Sequence, residues 1–281
     1  SSGFQKTAGT GYPEIQKIYP QEESQLADVW SKYMPSDRYD CGNIDFCNDG
    51  DKLHSIKTLE DFMSEKILLI DGHRILNRAF YDLPDLTNTE GKHTGAVYGF
   101  LNILFRTIEE EKPQYLTVAF DLKAPTFRHK MFEAYKGTRK PMPEELREQV
   151  PLIKEMLTAM GVNVVTKEGY EADDILGTLA RKSEAAGMDA TILSGDRDLL
   201  QLATDKVMIR LPKTVRGKTT IEDYHAQQVI EKYQVTPPQI IELKALMGDS
   251  ADNIPGIPGV GEKTATKIIV EYGSIENAHE H

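Results

Sequence analysis

Lys66-Ile-Leu-Leu-Ile-Asp71-Gly72 sets four consecutive apolar residues before an aspartate and a glycine. A run this short and continuous reads as a strand buried on both faces, with the acid at its carboxyl end. Outward from it the pattern repeats. Tyr115–Phe120 runs into Asp121, Val162–Val165 is a third strand, Ala190–Leu193 precedes Asp196 and Asp198, and Val207–Leu211 follows. Helical stretches lie between: His73–Asp82, Thr94–Glu111, Glu144–Met160, Ala172–Ala186 and a short Asp198–Ala203. Pro143 suits the first turn of the third, and Gly161 and Gly187 suit helix ends. This alternation predicts an α/β fold with a mostly parallel central sheet flanked by helices. Strands are expected to stop after about Ile221. His225–Tyr233, Pro238–Met247, Glu262–Tyr272 and a helix from Ser274 then form a C-terminal helical region.

The chain of 281 residues is 40% hydrophobic and 27% charged, ordinary for a globular protein. No apolar run is long enough to span a bilayer, and no signal-peptide pattern opens the chain. The net charge is −11, of which −5 falls in residues 1–62. Bulk charge therefore gives no general attraction to nucleic acid. Residues 1–62 have little periodicity and stand as an unassigned segment. They contain the two cysteines, Cys41 and Cys47, best read as unrelated thiols because no second Cys/His pair accompanies them. A cysteine-free remainder fits a reducing cytoplasm. The chain begins without Met and ends within the last expected helix, so a continuation is expected at that end.

Nine carboxylates recur where strands or turns should end: Asp71, Asp121, Glu171, Asp173, Asp174, Asp196, Asp198, Asp249 and Asp252. Ligands of open parallel sheets bind beyond the strands' carboxyl ends. Glu171 and Asp174, at i and i+3, share one side of a helix start. Helix capping accounts for one or two of these acids, with Asp173 and Asp198 the candidates. Convergence of the rest would raise pKa values or force the site apart unless hard divalent cations sat among the oxygens. The pattern points to Mg2+ or Mn2+ and to phosphate chemistry.

Several motifs together resemble a known family. They are Asp71-Gly-His, Asn77-Arg-Ala-Phe, Val118-Ala-Phe-Asp, Thr126-Phe-Arg-His and Tyr135-Lys-Gly-Thr-Arg. Gly169-Tyr-Glu-Ala-Asp-Asp, Ser194-Gly-Asp-Arg-Asp and Gly248-Asp-Ser-Ala-Asp-Asn-Ile-Pro-Gly complete the set. In order and spacing they are similar to bacterial flap endonucleases, among them the N-terminal 5′-nuclease domain of bacterial DNA polymerase I. The resemblance spans about Lys66 to His281. It implies a PIN-like nuclease core over 63–224, with an arch region near 126–143. A helix-three-turn-helix DNA-binding region would occupy 225–281. It also implies a divalent-metal-dependent 5′-3′ exonuclease or flap endonuclease. Such an enzyme uses two ions to cut DNA and RNA-primer phosphodiesters, in replication and repair. One ion would belong to Asp71, Asp121, Glu171, Asp173 and Asp174, the other to Asp196, Asp198, Asp249 and Asp252. Catalytic roles fall to Asp71, Asp196, Lys136 and Arg139. The expected partners are DNA with 5′ flaps, nicks or ends, and RNA primers. A polymerase domain in the same full-length chain is a further expectation, and so is a cytoplasmic, nucleoid-associated location in a bacterium.

Thr126–Lys140 interleaves Arg128, Lys136 and Arg139 with Phe127, Phe132 and Tyr135, a pattern suited to phosphate neutralisation and base stacking. The resemblance gives Lys136 and Arg139 to the scissile phosphate and Tyr135 to stacking. A solvated basic stretch is the plain alternative. Gly256-Ile-Pro-Gly259-Val-Gly261 opens a helix, so its backbone suits phosphate approach, with Lys263 and Lys267 as further contacts. In the family such a hairpin also holds a monovalent cation, K+; a plain helix-helix turn is the alternative. Arg74 departs from the small polar residue common at its position. Other classes fit less well. A haloacid-dehalogenase phosphatase wants Asp where His73 stands, and a Toprim nuclease does not predict Asp249 and Asp252. A PIN ribonuclease lacks the helical region. A catalytically inactive DNA-binding relative would have lost acids that are all present here.

Overall fold

The computed structural model describes residues 64–215 and 218–281. Cys41, Cys47 and the rest of the N-terminal segment lie outside them. Strands β1 (Lys66–Asp71), β2 (Tyr115–Ala119), β3 (Asn163–Val165), β4 (Asp189–Leu193), β5 (Val207–Val215) and β6 (Lys218–Tyr224) form one sheet, ordered β3-β2-β1-β4-β5-β6. The first five are parallel. β6 returns antiparallel beside β5, with Ile209 opposite Tyr224. Strand order reverses between β2 and β4, with β1 between them, so the crevice of this fold opens where Asp71 ends β1.

Side-chain alternation along β1 builds two cores. Ile67 and Leu69 face one layer, with Leu176 and Ala180 of the helix Ala172–Ala185. Leu68 and Ile70 face the other, with Ile75 and Leu76 of Gly72–Asp82, Phe100 of Gly95–Glu111 and Ile153 of Gln149–Ala159. Both sets are fully buried, as expected of a central parallel strand.

Three sequence expectations need correction. Glu144–Met160 is two helices, Glu144–Arg147 and Gln149–Ala159, meeting at Glu148. Pro151 has no N–H to give the Arg147 carbonyl, and its ring crowds that carbonyl, so the ladder breaks there. The strands also do not stop at Ile221. β5 is longer than its apolar stretch and turns into β6, because a polar hairpin can be held by its backbone ladder without an apolar run. The expected helix Asp198–Ala203 is a 3-10 turn over Arg197–Leu202.

The C-terminal region packs on the first of the two cores. Val229 of Ala226–Tyr233, Leu243 of Gln239–Met247 and Ile269 of Glu262–Tyr272 are buried there. Between the last two helices, Gly248–Asp249 and Ile254–Pro255 pair as a two-stranded clip, β7 and β8. Gly248 has φ +72°, and a Cβ on Gly256 would overlap the Met247 backbone. The clip thus fixes the loop that bears Asp249 and Asp252. Gly256→Ala is expected to lower unfolding stability by about 3 kcal/mol, the scale of overpacking against a fixed backbone. Gly259→Ala tests a different cost, since Gly259 has open space but φ +81°; about 1 kcal/mol is expected from its backbone alone. Denaturant melts of both variants measure the difference.

Candidate active site

Asp71 is buried at the end of β1 and is held from two sides. The Arg74 backbone N–H donates to Oδ1 at 3.0 Å, and the Ser194 hydroxyl donates to Oδ2 at 2.9 Å. Burial is nevertheless the strongest influence, and it pushes the carboxyl up to about 6. Asp121 follows β2. Its Oδ1 accepts the Ala172 N–H at 2.7 Å, and its own N–H donates to His73 Nδ1 at 3.1 Å. That bond makes Nδ1 the acceptor of the imidazole.

Asp173 is the second residue of the helix Ala172–Ala185, whose first N–H Asp121 accepts. Its Oδ1 is buried and has no hydrogen-bond partner. Burial first, then the charges of Asp71 and Asp196, raise its carboxyl well above the ordinary range. Asp196 follows β4; its Oδ1 accepts the Asp198 N–H at 2.9 Å, and its Oδ2 pairs with the Arg74 guanidinium. Asp71, Asp121, Asp173 and Asp196 therefore feel one another's charge across the edge of the sheet.

The remaining acids are drawn to cations of the chain. Arg128 forks onto Asp174 with two bonds of 2.8 Å and holds it below the usual carboxylate range against the effect of burial. Lys136 Nζ meets Glu171 at 2.8 Å. The Tyr135 hydroxyl lies 3.1 Å from Glu171 and 3.0 Å from Asp252, and Arg139 pairs with Asp252. Lys244 bridges Asp198 at 2.8 Å and Asp249 at 2.9 Å. Residues 134–136 are also stitched to the loop within the clip. Lys136 N–H donates to the Asp252 carbonyl at 2.9 Å, and Asn253 Nδ2 donates to the Ala134 carbonyl at 2.7 Å.

A cleft of about 830 Å3 is lined by Asp173, Asp174, Glu171, Asp196, Asp198 and Asp252. Asp121 lines a second cleft of the same size with His73, Lys123, Arg139 and Lys140, and Arg74 borders both. Asp249 lines neither, and is brought in through Lys244. Among the described residues no group of three or more His, Cys, Asp or Glu side chains is set for a metal ion as the side chains stand. The acids face the chain's own cations instead. The donor set is all oxygen, and the unpartnered Asp173 Oδ1 is an acceptor directed at no group of the protein. Both suit a hard divalent cation.

Several expected roles shift with this geometry. Tyr135 is 5% exposed, its ring edge-on to His129 and its hydroxyl on the acids, so here it presents no face for a base. Arg128, Lys136 and Arg139 are ion-paired. A Cβ on Gly256 would meet the Met247 backbone, whereas Gly259 and Gly261 border open space. Lys263 and Lys267 are exposed on the helix that Gly261 opens. The capping acids are Asp71, Asp174 and Asp196, not Asp173 and Asp198. Lys244 and Ser194 escaped the sequence reading. Lys244 stands five residues before Asp249, outside helical pair spacing, and Ser194 is one of many serines near turns.

A family model described as 5′-3′ exonuclease, N-terminal resolvase-like domain, covers residues 66–234. Another, 5′-3′ exonuclease, C-terminal SAM fold, covers 235–281. DNA polymerase I of Bacillus subtilis is 51% identical over 212 residues, 75% of this chain and 24% of that protein. DNA polymerase I of Bacillus caldotenax is 50% identical over 215 residues, 76% of this chain and 24% of that protein. The chain thus spans about a quarter of the length of these relatives. The zinc-bound 5′-exonuclease of phage T5 superposes with a TM-score of 0.61 at 26% identity, covering 77% of this chain and 79% of that one. The T5 flap endonuclease in complex with DNA and metal ions has the same fold, with TM-score 0.63, 24% identity and the same coverage.

The Asp71 shift has a consequence for the ion-free protein. Its carboxyl takes up a proton at about 6 when folded and near 3.8 when unfolded. Between those values the folded state binds more protons, so stability falls as pH rises. The penalty is absent below about 3.8 and complete above about 6. Asp71→Asn removes the charge; its amide oxygen can still accept the Arg74 N–H, while its NH2 must donate to Ser194 Oγ instead of accepting from it. In EDTA it should exceed the wild type by about 2–3 kcal/mol at pH 7.5, the gap closing as pH drops through 6 toward 4. Thermal melts across pH measure it.

Proposed function

The chain belongs to the 5′-3′ exonuclease family, and on that premise we propose that it is a structure-specific 5′-3′ nuclease and flap endonuclease. Its proposed substrates are DNA with 5′ flaps, nicks or ends, and RNA primers, cut to a 5′-phosphate and a 3′-hydroxyl during replication and repair. The observation that supports this most is the meeting of Asp71, Asp173 and Asp196 from separate elements at the strand-order reversal, with one Asp173 oxygen buried and unpartnered.

Two divalent ions, Mg2+ or Mn2+, fit this donor set. When bound they supply the Lewis acidity that an in-line phosphodiester displacement needs. Asp71, Asp121, Glu171, Asp173 and Asp174 would hold one, and Asp196, Asp198, Asp249 and Asp252 the other. Arg128 and Lys244 orient Asp174, Asp198 and Asp249, and they hold Asp174 and Asp249 below the usual carboxylate range against the effect of burial. Lys136 lines the acid cleft and Arg139 the second cleft, and both would turn to the scissile phosphate once Glu171 and Asp252 have other cations. Their charge offsets the equatorial oxygens of the phosphate.

Residues 63–224 would form the nuclease core and 126–143 the arch. Residues 225–281 would grip duplex DNA as a helix-three-turn-helix, through the Gly259–Gly261 turn, Lys263 and Lys267, and K+ would sit at that turn. Backbone contacts of this kind position DNA without reading sequence. A polymerase domain of the same full-length chain would fill the gap. The proposed setting is the bacterial cytoplasm at the nucleoid. Among the described residues no helix is long and apolar enough to cross a membrane.

A 5′-labelled flap duplex incubated with Mg2+ should release the flap, and EDTA should stop it. Asp196→Ala should lower cleavage by at least about a thousandfold while duplex binding stays within about twofold, the signature of an interaction used in the reaction rather than in binding. Binding without cutting at every divalent-ion concentration would favour the inactive DNA-binding relative.

A further inference from the structure

Arg74 stands third in the helix Gly72–Asp82, and its backbone N–H is fixed on Asp71 Oδ1. From there its side chain crosses the end of the sheet to Asp196, whose other oxygen is engaged with Asp198 N–H. Asp71, Asp173 and Asp252 also act on the guanidinium, which lies on the border between the two clefts. On one side is the acid set with its unpartnered Asp173 Oδ1. On the other are Lys123, Arg139, Lys140 and Arg147.

A purely structural ion pair explains this placement poorly. The Arg74 side chain is 40% exposed and that of Asp196 14%, so the pair is partly buried and its formation costs desolvation that offsets much of its attraction. β1 and β4 are already joined by their own ladder, and Asp71 is held by Ser194. What the guanidinium does supply is one positive charge, on a tether, where the carboxylates crowd.

Resting on the divalent-ion reading above, we infer that Arg74 is a built-in competitor for the metal site. It neutralises Asp196 and its neighbours in the ion-free protein and must give way when a divalent ion loads. Its freed guanidinium then has the cationic cleft within reach of its tether, beside Arg139 and Lys140, where it adds charge for a nucleic-acid phosphate. Arg74 thereby sets the divalent-ion concentration at which the site fills. Positive charges a few ångströms apart repel strongly in a partly buried site, so its removal should tighten ion binding by about tenfold.

The test is calorimetric titration of Ca2+ into DNA-free, EDTA-stripped wild type, Arg74→Ser and Arg74→Gln, with cleavage playing no part in the readout. Arg74→Gln keeps a hydrogen-bond donor for Asp196 and removes only the charge, and it also serves should Arg74→Ser fold poorly. Both variants are expected to bind Ca2+ about tenfold more tightly than the wild type. Equal or weaker binding by Arg74→Gln would overturn the inference, whatever Arg74→Ser does. A wild type with no saturable divalent-ion binding would instead remove the metal reading itself. The two failures are therefore distinct.

Discussion

Negative charge concentrated at the carboxyl edge of one sheet is the constraint on which the rest of the molecule turns. Parallel strands deliver their C-terminal residues to a common edge, and β1, β2 and β4 each bring an acid to it or just beyond it. The helix Ala172–Ala185 brings three more with its first turn. Such a set is tolerated only with compensating cations or with protons. The ion-free protein uses both. Arg74, Arg128, Lys136, Arg139 and Lys244 each sit on one or two carboxylates. Asp71 and Asp173, which have no such partner of their own, are shifted toward the protonated form.

This balance also assembles the protein. Tyr135, Lys136 and Arg139 leave the core chain and attach to the loop after Asp249, while Lys244 reaches back from the C-terminal helices to Asp198. Asp252 thus receives a hydroxyl and a guanidinium from the arch base, and its carbonyl receives the Lys136 N–H. Any cation that displaces Lys136 or Arg139 from these acids frees positive charge at the cleft mouth. On the proposed function, ion loading would release these side chains toward a polyanion.

The elements that sequence pattern made legible are those in which one periodicity dominates. β1 alternates between two cores, and Glu262–Tyr272 has the bounds its Gly261 and Gly273 suggest. Of the proposed site acids, Asp71, Asp121 and Asp196 stand out in the sequence because they follow apolar runs, and Glu171, Asp173 and Asp174 because they open a helix. What escaped depends on groups distant in sequence. Pro151 breaks a helix through a carbonyl four residues earlier, and β6 exists because β5 offers it a ladder. Tyr135 reads as an exposed aromatic among cations, yet Glu171 and Asp252, 36 and 117 residues away, draw its hydroxyl inward. That Gly256 is also required by the close Met247 backbone was hidden, because Met247 meets it only through the pairing of β7 and β8.

The central claim is that these scattered carboxylates form one ion-loading pocket. Mn2+ soaked into crystals of the DNA-free protein, located by anomalous scattering, tests it directly. The account predicts two peaks about 4 Å apart, ringed by Asp71, Asp173 and Asp196, with Arg74 swung away. Peaks confined to other surfaces, or none beside Asp173 at saturating Mn2+, would contradict it.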